Sequence, residues 1–235
     1  MNDDNPDRQA QSGLLERVVQ ETAQPVSAAV IWLHGLGADG NDFVPVLPAL
    51  QRSGPVGIRF VFPHAPRRPV TINNGMVMRA WYDIAGVDPA AAEDVAGMRA
   101  SATLVDELVD EQIQAGVPRQ RIFLAGFSQG GVIALRAGLG RQAPLGGVIA
   151  LSCYLGDREQ FDQWRGTGAV ATPVFCGHGR LDPMIPVELG RNAAERLRGA
   201  GLDVAWREYD IEHGVNAEEI ADIDAWLHER LVAAY

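Results

Sequence analysis

Residues 122–131 read Ile122-Phe123-Leu124-Ala125-Gly126-Phe127-Ser128-Gln129-Gly130-Gly131. The first six carry no charge. A short apolar run of this kind, bounded by a glycine turn, fits a strand covered on both faces, as in a parallel sheet. From residue 130 the sequence GGVIALRAGL changes to a helical pattern. Between strand and helix stands Gly126-Phe127-Ser128-Gln129-Gly130, a G-x-S-x-G turn. Such a turn lifts a serine hydroxyl out of the end of the sheet and strains the backbone at the serine. Small residues must flank it, and the helix that follows points its N-terminus at the serine, where negative charge is favoured. A bare G-x-S-x-G arises often by chance; its setting between this strand and this helix makes Ser128 a candidate nucleophile.

The same alternation extends in both directions. Apolar runs over 14–20, 28–33, 58–62, 145–152, 173–176 and 204–209 predict strands, the first two joined as a hairpin across TAQP. Helical patterns are expected over 42–51, from Pro89 to about residue 115, over 186–200 and over 217–233. Residues 64–88 read as irregular, with Pro66, Pro69 and an Asn-Asn-Gly turn signal. Strands separated by helices imply an α/β domain with a mainly parallel central sheet flanked by helices. The expected organisation is a polar, frayed tail over 1–13 and one domain over 14–235, with no large lid. In such sheets chemistry gathers at the carboxyl ends of the strands.

Composition narrows the chemistry. The chain has 235 residues, enough for a full core without disulfide or metal staples. It carries 30 acidic and 20 basic residues, a net charge of -10, which argues against nucleic acid and against stable association with anionic membranes. All the basic residues are arginine. Without lysine there is no P-loop, no pyridoxal Schiff base and no S-x-x-K acylase. Cys153 and Cys176 sit in apolar runs and read as small buried hydrophobes. Neither C-x-x-C nor H-E-x-x-H occurs, so no metal and no cofactor are expected. The first residues lack the basic and apolar regions of a signal peptide, which points to the cytoplasm.

A serine needs a base. Around a strand-turn-helix serine the partners follow in the order serine, acid, histidine. His213, in YDIEHGVNAEE, lies between a strand and a helix and fits the base. His228 lies inside the last helix, His178 reads as a loop-structuring residue, and His34 precedes the serine. Asp182, in HGRLDPMIP after the 173–176 strand, is the favoured acid over Asp157, Glu188, Asp210 and Glu212. Acyl transfer also needs two amide donors for an oxyanion. The Gln129 N–H, just after the serine, is one. The Leu36 N–H in His34-Gly35-Leu36-Gly37 is the second candidate, against a plain glycine turn. Met76, Met78, Trp81 and Tyr82 form either the wall of an acyl groove or a patch packing the loop onto the body.

Taken together, LHGLGADG, GFSQGG, HGRLDPMIP and EHGV followed by EE resemble the phospholipase/carboxylesterase family of α/β-hydrolases, which includes acyl-protein thioesterases, lysophospholipases and small carboxylesterases. The stretch RPVTINNGMVMRAWYDI is similar to bacterial members. The motifs run from residue 30 to about 220. The resemblance implies Ser128, Asp182 and His213 as the triad, Leu36 and Gln129 as oxyanion donors, and Trp81 at the border of the site. Glu212 departs from it, standing where a small residue is expected before the histidine. The expected activity is hydrolysis of short- to medium-chain carboxylic esters or thioesters, with lysophospholipase or acyl-protein thioesterase as the alternative. The partner is then a small ester or thioester, and a homodimer is compatible with the sequence. A non-catalytic ligand-binding relative and an acyltransferase are the readings from other classes.

Overall fold

The computed structural model describes residues 15–50, 56–86 and 93–233. Its strands are β1 (Arg17–Glu21), β2 (Val26–Leu33), β3 (Gly57–Pro63), β4 (Arg67–Val70), β5 (Met76–Arg79), β6 (Ile122–Phe127), β7 (Gly147–Leu151), β8 (Val174–Gly179) and β9 (Val204–Tyr209). Its α-helices are α1 (Val95–Gln114), α2 (Gln129–Gly140), the single turn α3 (Phe161–Trp164), α4 (Val187–Gly199) and α5 (Ala217–Ala233). Seven strands make one sheet in the order β1-β3-β2-β6-β7-β8-β9. Only β1 runs antiparallel to its neighbour; the other six are parallel.

The central strands are apolar throughout because both faces are covered. On one face Ile31, Leu124 and Val148 pack against α1, α2 and α4 through Met98, Leu135 and Leu197. On the other, Phe60, Phe123 and Phe175 pack against α5 through Ile223, Trp226 and Leu227. This is the α/β-hydrolase arrangement, a mainly parallel sheet flanked by helices in one domain.

Four expectations change. β1 does not form a hairpin with β2 but pairs with β3, Val18 opposite Phe62. The reason lies in the side chains: β1 is partly exposed and suits a sheet edge, whereas β2 is buried from Ala28 to Leu33 and sits between β3 and β6. Residues 64–88 are not simply irregular. They hold an antiparallel hairpin, β4 with β5, around the turn at Asn74, whose φ is 55°. The expected helix over 42–51 is a 3-10 turn over Val44–Ala49, since Pro45 and Pro48 have no amide to donate to a helical ladder; Gln51 lies outside the described residues. Finally, α1 begins at Val95, where the Asp94 carboxylate accepts the Gly97 amide at 2.8 Å. Pro89, the expected opener, and the tail over 1–13 lie outside the described residues.

Candidate active site

Ser128 stands at the carboxyl end of β6 with φ 56° and ψ -122°, a conformation few non-glycine residues adopt. The surroundings enforce it. A Cβ at Gly126 would overlap the Gly130 carbonyl, and one at Gly130 would overlap the Leu33 carbonyl. The turn is thus pressed against α2 on one side and the end of β2 on the other. The Ser128 amide donates to the Leu151 carbonyl at 2.9 Å, which anchors the turn to the end of β7.

His213 lies in the loop between β9 and α5. Its Nδ1 is 2.6 Å from Asp182 Oδ2. Asp182 follows β8 and is buried, and its other oxygen accepts the amides of Met184 and Ile185 at 2.8 and 2.9 Å. These donors hold the carboxylate so that it faces the imidazole. The Phe127 ring packs against His213 with centroids 4.7 Å apart. His178, beside Asp182, is buried, and its Nε2 lies 2.8 Å from the Ile185 carbonyl. Burial lowers its pKa, so the ring is neutral and donates Nε2–H to that carbonyl. It braces the loop that carries Asp182.

The other acids weighed from the sequence are engaged elsewhere. Asp157 is ion-paired with Arg136 at 2.8 Å, Glu188 with Arg191 at 3.4 Å and Asp210 with Arg180 at 2.6 Å. Glu212 is exposed. His228 is half-buried on α5.

The loop after β2 closes over the serine. Gly37 donates to the Arg79 carbonyl at 2.9 Å and Ala38 to Gly35 at 3.3 Å. On the serine side, the Gly131 and Val132 amides donate to the Ser128 carbonyl. Among the described residues, the Leu36 and Gln129 amides have no acceptor within the chain. Both residues line the same cavity as Ser128 and His213. Two histidines hold this loop in place. The His34 Nε2 accepts the Ala65 amide at 3.0 Å while Nδ1 lies 2.7 Å from the Gly35 carbonyl, which fixes the proton on Nδ1. Burial lowers the His34 pKa to about 4, so the ring stays neutral and cannot serve as an exposed base. His64 accepts the Gly40 amide at 3.0 Å.

The cavity has a volume of about 530 Å³. Tyr82, Ile72, Ile84, Tyr154, Met184 and Ile185 are among its lining residues. Of the four groups expected at the acyl site, Tyr82 lines the cavity; Met76, Met78 and Trp81 are not among the described lining residues. Met76 is exposed on β5. Met78 accepts a contact from the Asn73 amide at 3.3 Å. Trp81 is fully buried behind the site, its indole N–H donating to the His34 carbonyl at 2.9 Å.

Both cysteines are buried and free. Burial pushes the Cys153 thiol up and the Cys176 thiol up to about 12, so neither is poised as a thiolate. No group of three or more metal-ligating side chains is found among the described residues. No helix among them is long and apolar enough to cross a membrane.

Sequence reasoning missed three features. The side chain of Gln129 was read only for its backbone. The Tyr82–Tyr154 pair, with hydroxyls 3.1 Å apart, joins residues 72 positions apart. Asp42, Asp83 and Glu93 line the same cavity from three separate stretches of the chain. Only the fold supplies such contacts.

Known proteins carry the same architecture. The profile of the phospholipase/carboxylesterase family matches residues 15–231. An acyl-protein thioesterase 1 from Gibberella zeae is 37% identical over 229 residues, covering 94% of this chain and 97% of that protein. Arabidopsis thaliana SOBER1 superposes with a TM-score of 0.83 at 30% identity, covering 87% of this chain and 99% of that one. Zea mays acyl-protein thioesterase 2 gives 0.80 at 26% identity, covering 92% and 99%. With the profile spanning nearly the whole described chain, this protein belongs to the phospholipase/carboxylesterase family of α/β-hydrolases, a family of ester-hydrolysing enzymes.

Proposed function

We propose that the chain hydrolyses short- to medium-chain carboxylic esters and thioesters through an acyl-enzyme on Ser128. One observation supports this above the rest. A serine held at φ 56°, a histidine backed by a buried carboxylate at 2.6 Å and two unengaged amides surround one cavity.

In this reading the Ser128 Oγ attacks the acyl carbon while His213 takes its proton. The electron pair of the carbonyl moves to oxygen, and the Leu36 and Gln129 amides hold that oxyanion, each contributing roughly 3 kcal/mol by comparison with single-donor deletions in other hydrolases. The tetrahedral intermediate collapses, the bond to the leaving alkoxide or thiolate breaks, and His213 returns its proton to that group. Water then repeats the sequence on the Ser128 ester and frees the acid. Asp182 keeps the proton of neutral His213 on Nδ1, so that Nε2 faces the serine, and stabilises the imidazolium that forms.

The relatives named acyl-protein thioesterase favour a second reading, in which the acyl group comes from a protein cysteine. The chemistry at Ser128 is the same in both, and only the half that leaves differs. Both readings fit a cytoplasmic enzyme with two free, buried cysteines.

The test is a turnover panel of ester, thioester and lysophospholipid substrates, with fluorophosphonate labelling, on the wild-type chain and Ser128→Ala. Labelling and turnover that both vanish in the variant are expected. Turnover persisting in Ser128→Ala overturns the assignment.

A further inference from the structure

The described lining of the cavity is acidic. Asp42, Asp83 and Glu93 line it with Ser128 and His213, and no arginine stands among its described lining residues. Arginines outside that lining have acidic partners of their own: Arg68 with Asp94 at 3.8 Å, Arg79 with Glu16 at 3.2 Å, and Arg136 and Arg99 with Asp157 at 2.8 and 3.6 Å, while Arg68 also acts on Asp83 and Arg136 on Glu93. The chain has no lysine to add.

Glu93 shares a wall with two aromatic rings. The Tyr82 and Tyr154 hydroxyls lie 3.1 Å apart, and the Glu93 charge is close enough to help raise the pKa of both phenols. Glu93 accepts the Asp157 amide at 2.8 Å. Burial raises its own pKa, and the neighbouring Arg136 acts the other way. Asp83 accepts the Thr71 hydroxyl and amide at 2.6 and 2.8 Å, and these bonds hold its carboxyl below the ordinary range, so it is charged at neutral pH. Carboxylates beside aromatic rings attract cations and repel anions.

We propose that this cavity sorts substrates by charge, accepting esters and thioesters whose non-acyl half is cationic or neutral and rejecting those that carry a carboxylate or phosphate there, with Glu93, Asp83 and Asp42 setting the preference. The proposal rests on the hydrolase reading above. Ordinary acyl chains are uncharged, so the charge of such a substrate resides in its alcohol or thiol half. Two or three carboxylates within several ångströms of a bound charge, at an effective dielectric constant near that of a protein surface, discriminate by about 10-fold or more.

The test uses three butyryl thioesters with one acyl group: the cationic butyrylthiocholine, its neutral carbon isostere S-(3,3-dimethylbutyl) thiobutyrate, and the anionic S-butyryl-3-mercaptopropionate. Thiol release gives kcat/KM for each. The expected order is cationic at or above neutral, with the anion about 10-fold or more below. The gap should narrow as salt rises. Glu93→Gln keeps an oxygen for the Asp157 amide and Asp42→Asn removes a second charge; each should lower the cation-to-anion ratio several-fold. Equal values for all three thioesters, or the anion leading, overturn the charge proposal while leaving the hydrolase reading standing. A ratio unmoved in both variants overturns the assignment to these carboxylates. No turnover of the neutral thioester or of any ester in the panel above overturns the hydrolase reading, and the charge proposal with it.

Discussion

Gln129 grips the backbone of the neighbouring loop with both ends of its side-chain amide: Oε1 accepts the Trp81 N–H at 3.1 Å and Nε2 donates to the Tyr82 carbonyl at 2.9 Å. The residue is buried, and it directly follows Ser128. One side chain therefore ties the nucleophile turn to the segment that brings Tyr82 into the cavity. Ser101 supports the same segment from α1, its hydroxyl donating to the Trp81 carbonyl.

Gln129→Ala leaves a buried amide and a buried carbonyl without partners, each costing roughly 1–3 kcal/mol. Thermal unfolding should show a Tm lower by roughly 5–10 °C. Turnover should fall as well, because both the turn and the cavity wall lose their link. Gln129→Glu should be as harmful, since a carboxylate cannot donate to the Tyr82 carbonyl. A Gln129→Ala chain with unchanged Tm would show that the bracket carries no weight.

Asp182→Asn should reduce kcat by roughly 10³–10⁴-fold with little change in fold, as an amide supports the wrong histidine tautomer. Combining it with Ser128→Ala should add almost nothing to the loss from Ser128→Ala alone, since residues of one catalytic unit are not additive. Asp157→Asn is the control for the acid that the sequence left in competition. It breaks the ion pair with Arg136 and should lower stability more than kcat. Near-full turnover in Asp182→Asn would falsify the acid assignment.

Glu219 makes stability depend on pH. It is fully buried in the first turn of α5, its carboxyl pressed against Gly177 of β8. Burial, with Asp222 adding to it, raises its pKa to about 8. The folded chain then holds a proton that the unfolded chain releases near the ordinary value of about 4.3. Stability from this group is full below about pH 4 and is lost as pH rises through 8, by at most about 1.4 kcal/mol per pH unit. His34 acts in the opposite sense. Its folded pKa is lowered to about 4 by burial, so its contribution is full above about pH 6.5 and is lost as pH falls through 4. Denaturant unfolding from pH 5 to 9 should show Glu219→Gln losing the alkaline decline of the wild type. Parallel curves for the two chains would count against a buried, protonated Glu219.

How much of this was legible beforehand depends on the range of the interaction. The turn at Ser128 could be read because its constraints are local: a strand, a serine and the glycines that let α2 and β2 approach. The Asp182 and His213 pair, 31 residues apart, was reached through chain order and strand ends. The pairing of β1 was not, because edge or centre is decided by which strands compete for β2. The β4–β5 hairpin was obscured by Pro69, which local rules take as a breaker, although an isolated two-stranded edge tolerates it. The wall formed by Asp42, Asp83 and Glu93 has no local signature, since each residue alone is an ordinary loop acid.

A lid must expose an apolar face when it opens and cover an apolar patch when it closes. The segment between β7 and β8 offers Phe161 and Trp164 at helical spacing in DREQFDQW. In the structure both are already engaged. Phe161 is fully buried in the main core, with the Arg196 guanidinium 5.0 Å from its ring centroid. The Trp164 indole N–H donates to the Asp157 carbonyl at 3.0 Å, and Arg136 stacks on the ring at 4.4 Å. The β4–β5 hairpin is held at its base, where Arg79 donates from its side chain to the Ala65 carbonyl at 3.0 Å and accepts the Gly37 amide at 2.9 Å. Freeing either segment would break these contacts without uncovering Ser128 from a second apolar surface. Rate against concentration for a sparingly soluble triglyceride such as tributyrin should therefore saturate smoothly through the solubility limit. An abrupt rise once droplets form would mean that a segment does move at an interface.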